Sequence, residues 1–203
     1  PEGIIIIGCW AHARRKFDEA LKGLAEKDRE GSLALKGKQY CDKLFRIEEA
    51  LKTLSFENRQ AERQKQAMPV LDEFSVWLKS INAAPKSGLG KAIYYSLEQW
   101  KYLERYLLDG RLEISNNRAE RSIKPFVIDR KNFLFANTVR GAEGSAIMFS
   151  IIQTAMENGL NPYSYLAWLF HTFPNSSVDA IEELLPCSSQ VPESCYMTKR
   201  EVK

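Results

Sequence analysis

Apolar residues recur along most of this chain at the alternating three-and-four spacing that covers one face of a helix. Trp10, Ala13, Phe17, Ala20, Leu21 and Leu24 keep that spacing, with Arg14, Arg15 and Lys16 around the other side. The pattern returns through Leu33, Tyr40, Leu44, Ile47, Leu51 and Leu54. After a charged run over 57–66 it resumes at Val70, Leu71, Phe74, Trp77, Leu78 and Ile81, so 33–81 reads as a long helical pair. Pro85 and Ser87-Gly88-Leu89-Gly90 mark a break. Ile93, Tyr94, Leu97, Trp100, Leu103, Leu107 and Leu108 then make another amphipathic helix, ended by Gly110. Further helices are expected from about Gly141 to Glu157, stopping at Asn158-Gly159, and from Asn161-Pro162 through Tyr165 to Phe170, with Pro at a permitted first-turn position.

Two stretches depart from that period. Ile4 to Ile7 is wholly β-branched and bounded by Gly3 and Gly8, which predicts a strand buried on both faces of a sheet. Phe133-Leu134-Phe135 predicts a second short strand. The fold class expected from the pattern is therefore mainly α with a few short strands. Beyond Pro186 the Ser-, Gln- and Pro-containing tail has little to bury and is expected to be loose. The apolar run begins almost at Pro1, and a lone strand cannot pair with itself, so its partners are expected outside this sequence.

Composition narrows the class without naming a function. Of 203 residues, 44% are hydrophobic, enough for a real core. Twenty-nine Lys plus Arg against 26 Asp plus Glu give a net charge of +3, too small to mark a nucleic-acid protein without its distribution. The cysteines at 9, 41, 187 and 195 form no C-x-x-C pair, and with 2 histidines they offer no zinc-spaced ligand set. That usage fits a reducing cytoplasm, and no stretch approaches the ~20 apolar residues of a membrane span.

The charge is concentrated. Arg118, Arg121, Lys124, Arg130, Lys131 and Arg140 are opposed over their span only by Glu120 and Asp129, with Phe126, Phe133 and Phe135 among them. Such density suits phosphate contacts, and it equally suits a solvated helix face with its aromatics in the core. Glu120 is open to two readings. Asn117-Arg118-Ala119-Glu120 has capping-box spacing, with Asn117 as cap, and Lys124 stands one turn later as an ion-pair partner; alternatively the carboxylate serves chemistry. His12, just past the first strand, is a candidate to assist phosphate or metal chemistry or a hydrogen-bonded structural residue. His171 sits near a helix C-terminus, where the dipole accounts for it. One or two of Arg14, Arg15 and Lys16 are candidates to touch phosphate. Trp10, Trp77, Trp100 and Trp168 fall at core phases of their helices.

Three motifs carry a resemblance: "GCWAHARRKF" at 8–17, "NNRAERSIKPFVIDRKNFLF" at 116–135, and "GSAIMFSIIQTAMENGLNPYSYL" at 144–166. Together and in this order they resemble transposases of the insertion sequence 66 family, whose members are of the DDE class. The resemblance implies a ribonuclease-H-like α/β fold in which two aspartates and a glutamate hold two divalent ions, Mg²⁺ or Mn²⁺. It implies that Glu120, in the Asn-Asn-x-Ala-Glu-Arg motif, is the third acid and metal ligand. The family places its two aspartates upstream of Gly-Cys-Trp-Ala-His, where this sequence has none, so this chain alone is expected to be inactive. Ser115 replaces the usual Asp before the asparagine pair, and Asp129 replaces the usual Gly before Arg-Lys-Asn, adding a negative charge beside Arg130 and Lys131.

On this resemblance the chain divides into a last strand of an incomplete core (1–10), a helical insertion (11–112), a segment bearing the catalytic-Glu helix (113–138), a C-terminal helical region (139–185) and a flexible tail (186–203). Arg118, Arg121, Lys124, Arg130, Lys131, Arg14 and Arg15 are the implied DNA contacts, with His12, Asn116 and Asn117 as active-site neighbours. The implied partners are DNA, as element ends and as target, and further copies of the protein in a transposition complex, with no membrane. The competing expectations are a non-catalytic helical DNA-binding or regulatory module, in which Glu120 only caps, and a decayed remnant.

Overall fold

A computed structural model of the chain describes residues 4–129 and 138–197. The described residues are mainly helical. They fall into two compact units, Pro1–Arg118 and Ala119–Lys203. No helix among them is long and apolar enough to cross a membrane.

The first unit contains α1 (Trp10–Lys22), α2 (Leu33–Ala50), α3 (Phe56–Gln66), α4 (Met68–Ser80) and α5 (Gly88–Leu103), followed by a 3₁₀ turn over Glu104–Leu108. Serine caps start three of them. Ser32, Ser55 and Ser87 accept hydrogen bonds from Leu35, Asn58 and Gly90 amides at the heads of α2, α3 and α5. The break expected at 87–90 is thus a helix start, and Gly90 is required there because a Cβ would lie 2.1 Å from the Ala84 carbonyl oxygen. The charged run 57–66, expected as a lead-in to the next helix, is a helix of its own.

α1 packs against both α2 and α5 and buries the face predicted for it: Trp10, Ala13, Phe17 and Ala20. Phe74 of α4 is the hub of the aromatic core. Its ring stacks on Tyr40 at 4.7 Å and meets Trp10, Phe17, Trp77 and Trp100 with centroids 5.8–6.1 Å away. The core phase expected of Trp10, Trp77 and Trp100 is therefore where the structure puts them.

The second unit holds most of α6 (Asn117–Asp129), then α7 (Val139–Glu157) and α8 (Pro162–Thr172). Gly159, at φ 75°, supplies the left-handed residue that ends α7. Tyr165, Leu160 and Ala155 form a small core with Val191 and Cys195. Residues 186–197, expected to be loose, are thereby tied down. Asn161 N–H bonds to the Cys195 carbonyl at 2.8 Å and Met197 N–H to the Gly159 carbonyl at 2.9 Å. The tail's few apolar side chains suffice because the partner core is equally small. Trp168 packs at its edge.

The strand expectations fare differently. Ile4 to Ile7 forms no strand, and Ile4, Ile5 and Ile6 are 61–67% exposed. The pattern identified a segment suited to burial in a sheet, but among the described residues no ladder exists for it to join, and the isolated bridge Leu160–Tyr196 lies elsewhere. The strand expected at Phe133-Leu134-Phe135 lies outside the described residues.

Candidate catalytic acid and nucleic-acid interface

The segment that leads to Glu120 is fixed from behind. Trp10 is fully buried, and its indole N–H donates to the Leu103 carbonyl at 2.9 Å. Its amide N–H donates to the Ile114 carbonyl at 3.0 Å, while Gly8 N–H donates to the Tyr102 carbonyl at 2.8 Å. Gly8 lies so close to α5 that a Cβ would sit 2.8 Å from the Leu103 nitrogen. Asn116 N–H then reaches the Cys9 sulfur at 3.5 Å. Residues 8–10 and 114–116 are consequently neighbours, and the helical excursion between them leaves from and returns to one place.

That return is held by an arginine the hydrophobic pattern did not single out. Arg63 of α3 is 0% exposed. Its Nε and Nη2 grip both Glu48 carboxylate oxygens at 2.8 and 2.6 Å. Its remaining N–H groups donate to the carbonyls of Tyr106 and Asp109 at 2.8 Å and Leu112 at 2.7 Å. A guanidinium has five N–H donors, and all are used. The residues that close the excursion are thus stapled to α2 and α3. Nothing local signals this, because the partners lie between 15 and 49 positions away in sequence.

Beside it, the Tyr106 ring lies 5.1 Å from the guanidinium, while its hydroxyl is buried with no hydrogen-bond partner. Burial pushes that phenol well above the usual tyrosine range. Tyr106→Phe keeps the ring and removes an unsatisfied hydroxyl, so thermal melting is expected to show a stability change between zero and a gain of about 1 kcal/mol. A loss of that size would mean that the hydroxyl has a partner.

Glu120 stands exposed in the first turn of α6. The helix begins at Asn117, which puts Asn116 at the preceding, capping position and Glu120 at the fourth helical residue. A capping-box acid occupies the third. Arg118, Arg121 and Lys124 are exposed and three residues apart, on one flank of α6, and Arg118 lies 3.6 Å from Glu113. On the apolar side Phe126 meets Phe149 edge-on at 5.2 Å. Ile123, Val127 and Ile128 remain exposed. Arg130 and Lys131 lie outside the described residues.

On α1 the basic triplet divides. Arg14 is ion-paired with Asp42 and Lys16 lies 3.6 Å from Glu19, whereas Arg15 is exposed. His12 is half-buried in the first turn, and Asn117 lines an open groove of about 1480 Å³ shared with α1 and α2. Sequence reasoning overlooked the groove's α2 wall, where Lys36, Lys43 and Arg46 stand. Its signal was a spacing of polar residues, readable only once α2 was known to face α1.

The family model described as Transposase IS66 family matches residues 1–144, and that described as IS66 C-terminal element matches residues 150–187. Among curated relatives, the uncharacterized protein y4hP of Sinorhizobium fredii (strain NBRC 101917 / NGR234) is 35% identical over 187 residues, covering 88% of this chain and 34% of its own length. The uncharacterized protein y4jD of the same organism is 34% identical over 182 residues, covering 88% of this chain and 35% of its own length. The chain spans about a third of the length of these relatives. No solved structure matches it.

Proposed function

The chain belongs to the IS66 transposase family, and from that premise we propose that it forms the C-terminal part of a DDE-class DNA transposase, with Glu120 as the third acid of the triad. The observation that carries the reading is the family match over 1–144, which contains the Asn-Asn-x-Ala-Glu-Arg motif. Two features support it. The Trp10–Ile114 hydrogen bond closes 11–112 into an excursion from a single point, the form of an insertion within a larger fold. The exposed Ile4, Ile5 and Ile6 offer apolar surface to a ribonuclease-H-like sheet that the rest of the protein supplies.

This chain's described residues do not by themselves make a metal site. A hard divalent ion takes oxygen ligands from several groups, and no cluster of three possible ligating side chains occurs among the described residues. Glu120 supplies one carboxylate, and on this reading the two aspartates come from the upstream portion. The chemistry is then cleavage of a phosphodiester at an element end and attack of the freed 3′ hydroxyl on target DNA. Arg118, Arg121, Lys124, Arg130 and Lys131 contact phosphates, and further copies join the transposition complex.

Given Mg²⁺ and duplex DNA bearing element ends, the 203-residue chain is expected to show no cleavage, while the same chain continuous with an upstream portion of the relatives' length nicks and joins. Gel analysis of labelled DNA reads both. Cleavage by the purified chain alone, or none by the longer protein, contradicts the assignment.

A further inference from the structure

The groove between α1 and α2 carries charge on both walls, but the charges are not equally available. Asp18 binds Lys22 at 2.7 Å and Lys38 at 2.9 Å, hydrogen bonds that hold its carboxyl down at about 2. Asp42 is taken by Arg14, Glu19 by Lys16 and Glu49 by Lys52. Glu73 accepts from the Tyr40 hydroxyl at 2.7 Å. Other cations on the same two helices have no such partners. Among the described residues Arg15, Lys43 and Arg46 are exposed and make no ion pair, and Lys36 has only the Trp77 ring, 5.8 Å away. Lys36, Lys43 and Arg46 follow i, i+7, i+10 spacing along one face of α2, a row about 15 Å long at the helical rise. That length matches about four nucleotide steps of one DNA strand at ~3.4 Å each.

We propose that this groove is a second DNA-binding surface, in which Lys36, Lys43 and Arg46 of α2, all outside the three motifs that carry the family resemblance, track the phosphates of one strand. It rests on the reading that the protein handles DNA, and adds that the helical excursion itself holds DNA. Arg15, Lys36, Lys43 and Arg46 outnumber Glu73, whose charge the neutral Tyr40 hydroxyl does not cancel, so the groove presents surplus positive charge to a polyanion. Contacts of lysine and arginine to phosphate position without reading sequence, so the binding is expected to be sequence-independent and steeply salt-dependent.

The test is fluorescence anisotropy of a labelled duplex of about 20 base pairs with the full 203-residue chain, from about 50 to about 200 mM salt. Lys43→Gln with Arg46→Gln removes two phosphate contacts, so the slope of log K against log salt is expected to fall by about 1.8, with weaker binding at every salt. Both side chains are exposed, and an unchanged melting temperature confirms the fold. Lys79→Gln with Lys91→Gln, exposed residues outside the groove, makes the same charge change and is expected to leave the slope in place. Equal loss in both variants, no loss in the groove variant, or stronger binding to polyglutamate than to DNA overturns the groove assignment. Absence of any DNA binding by the unaltered chain overturns it too. Glu120's role is read separately, by cleavage in the longer protein.

Discussion

Arg63→Ala is expected to destabilise the chain by about 3–5 kcal/mol, lowering the melting temperature of the first unit by roughly 10–20 °C. The substitution strands Glu48, whose side chain is 12% exposed, without the cation that both its oxygens bind. It also removes the donor from three carbonyls, at Tyr106, Asp109 and Leu112. The carbonyls separate this case from an ordinary buried ion pair. Such a pair is often replaced by apolar residues at little cost. Here Glu48→Leu with Arg63→Met neutralises the charges yet leaves the carbonyls unpaired, so it is expected to recover only part of the loss. Arg63→Lys keeps the charge but brings three donors to five acceptors, and is expected to fall between. Thermal melting ranks the three variants. A cost below about 1 kcal/mol for Arg63→Ala would show that the return segment is held by other contacts.

The consequence reaches beyond stability. Residues 106–112 lead into 114–116, which lie beside Cys9 and Trp10. Arg63 therefore fixes the approach of the chain to α6, and its loss in the longer protein is expected to reduce cleavage along with stability.

The helices were legible because their signal is local. Trp10, Ala13, Phe17 and Ala20 repeat every three or four residues, and α1 buries that same set. Asn158-Gly159 likewise marked the end of α7, since a residue with positive φ was needed there. Arg63 was illegible for the opposite reason. It sits in a charged run, and what makes it structural is a set of acceptors from α2 and from 106–112, which no spacing within α3 encodes. Ile4 to Ile7 shows a third case. A β-branched run specifies a segment suited to a buried strand, but a strand exists only with a neighbour to bond to, and the neighbour is not written in the run.

The site divides in the same way. The family resemblance, not the local pattern, pointed to chemistry at Glu120, because Asn-x-x-Glu spacing is also that of a cap. α6 starts at Asn117 with Glu120 in its first turn, where a carboxylate suits the helix N-terminus on either reading. The density of cations near Glu120 was visible in composition, while the row on α2 was not. Lys36, Lys43 and Arg46 look like an ordinary solvated face until Asp18, Glu19 and Asp42 are seen to be engaged already.

Strand cleavage by Glu120→Gln in a protein of the relatives' length is the most direct measurement. The amide keeps the size of the side chain and loses the negative charge a divalent ion requires. Losing one anionic ligand removes several kcal/mol of transition-state stabilisation, so cleavage is expected to fall by at least about 100-fold. Glu120 is exposed, and the melting temperature is expected to stay within the range of a surface substitution, about 0.5 kcal/mol in stability, with DNA binding intact. Cleavage near the unaltered rate accompanied by a lowered melting temperature would contradict the catalytic assignment and make Glu120 a helix cap.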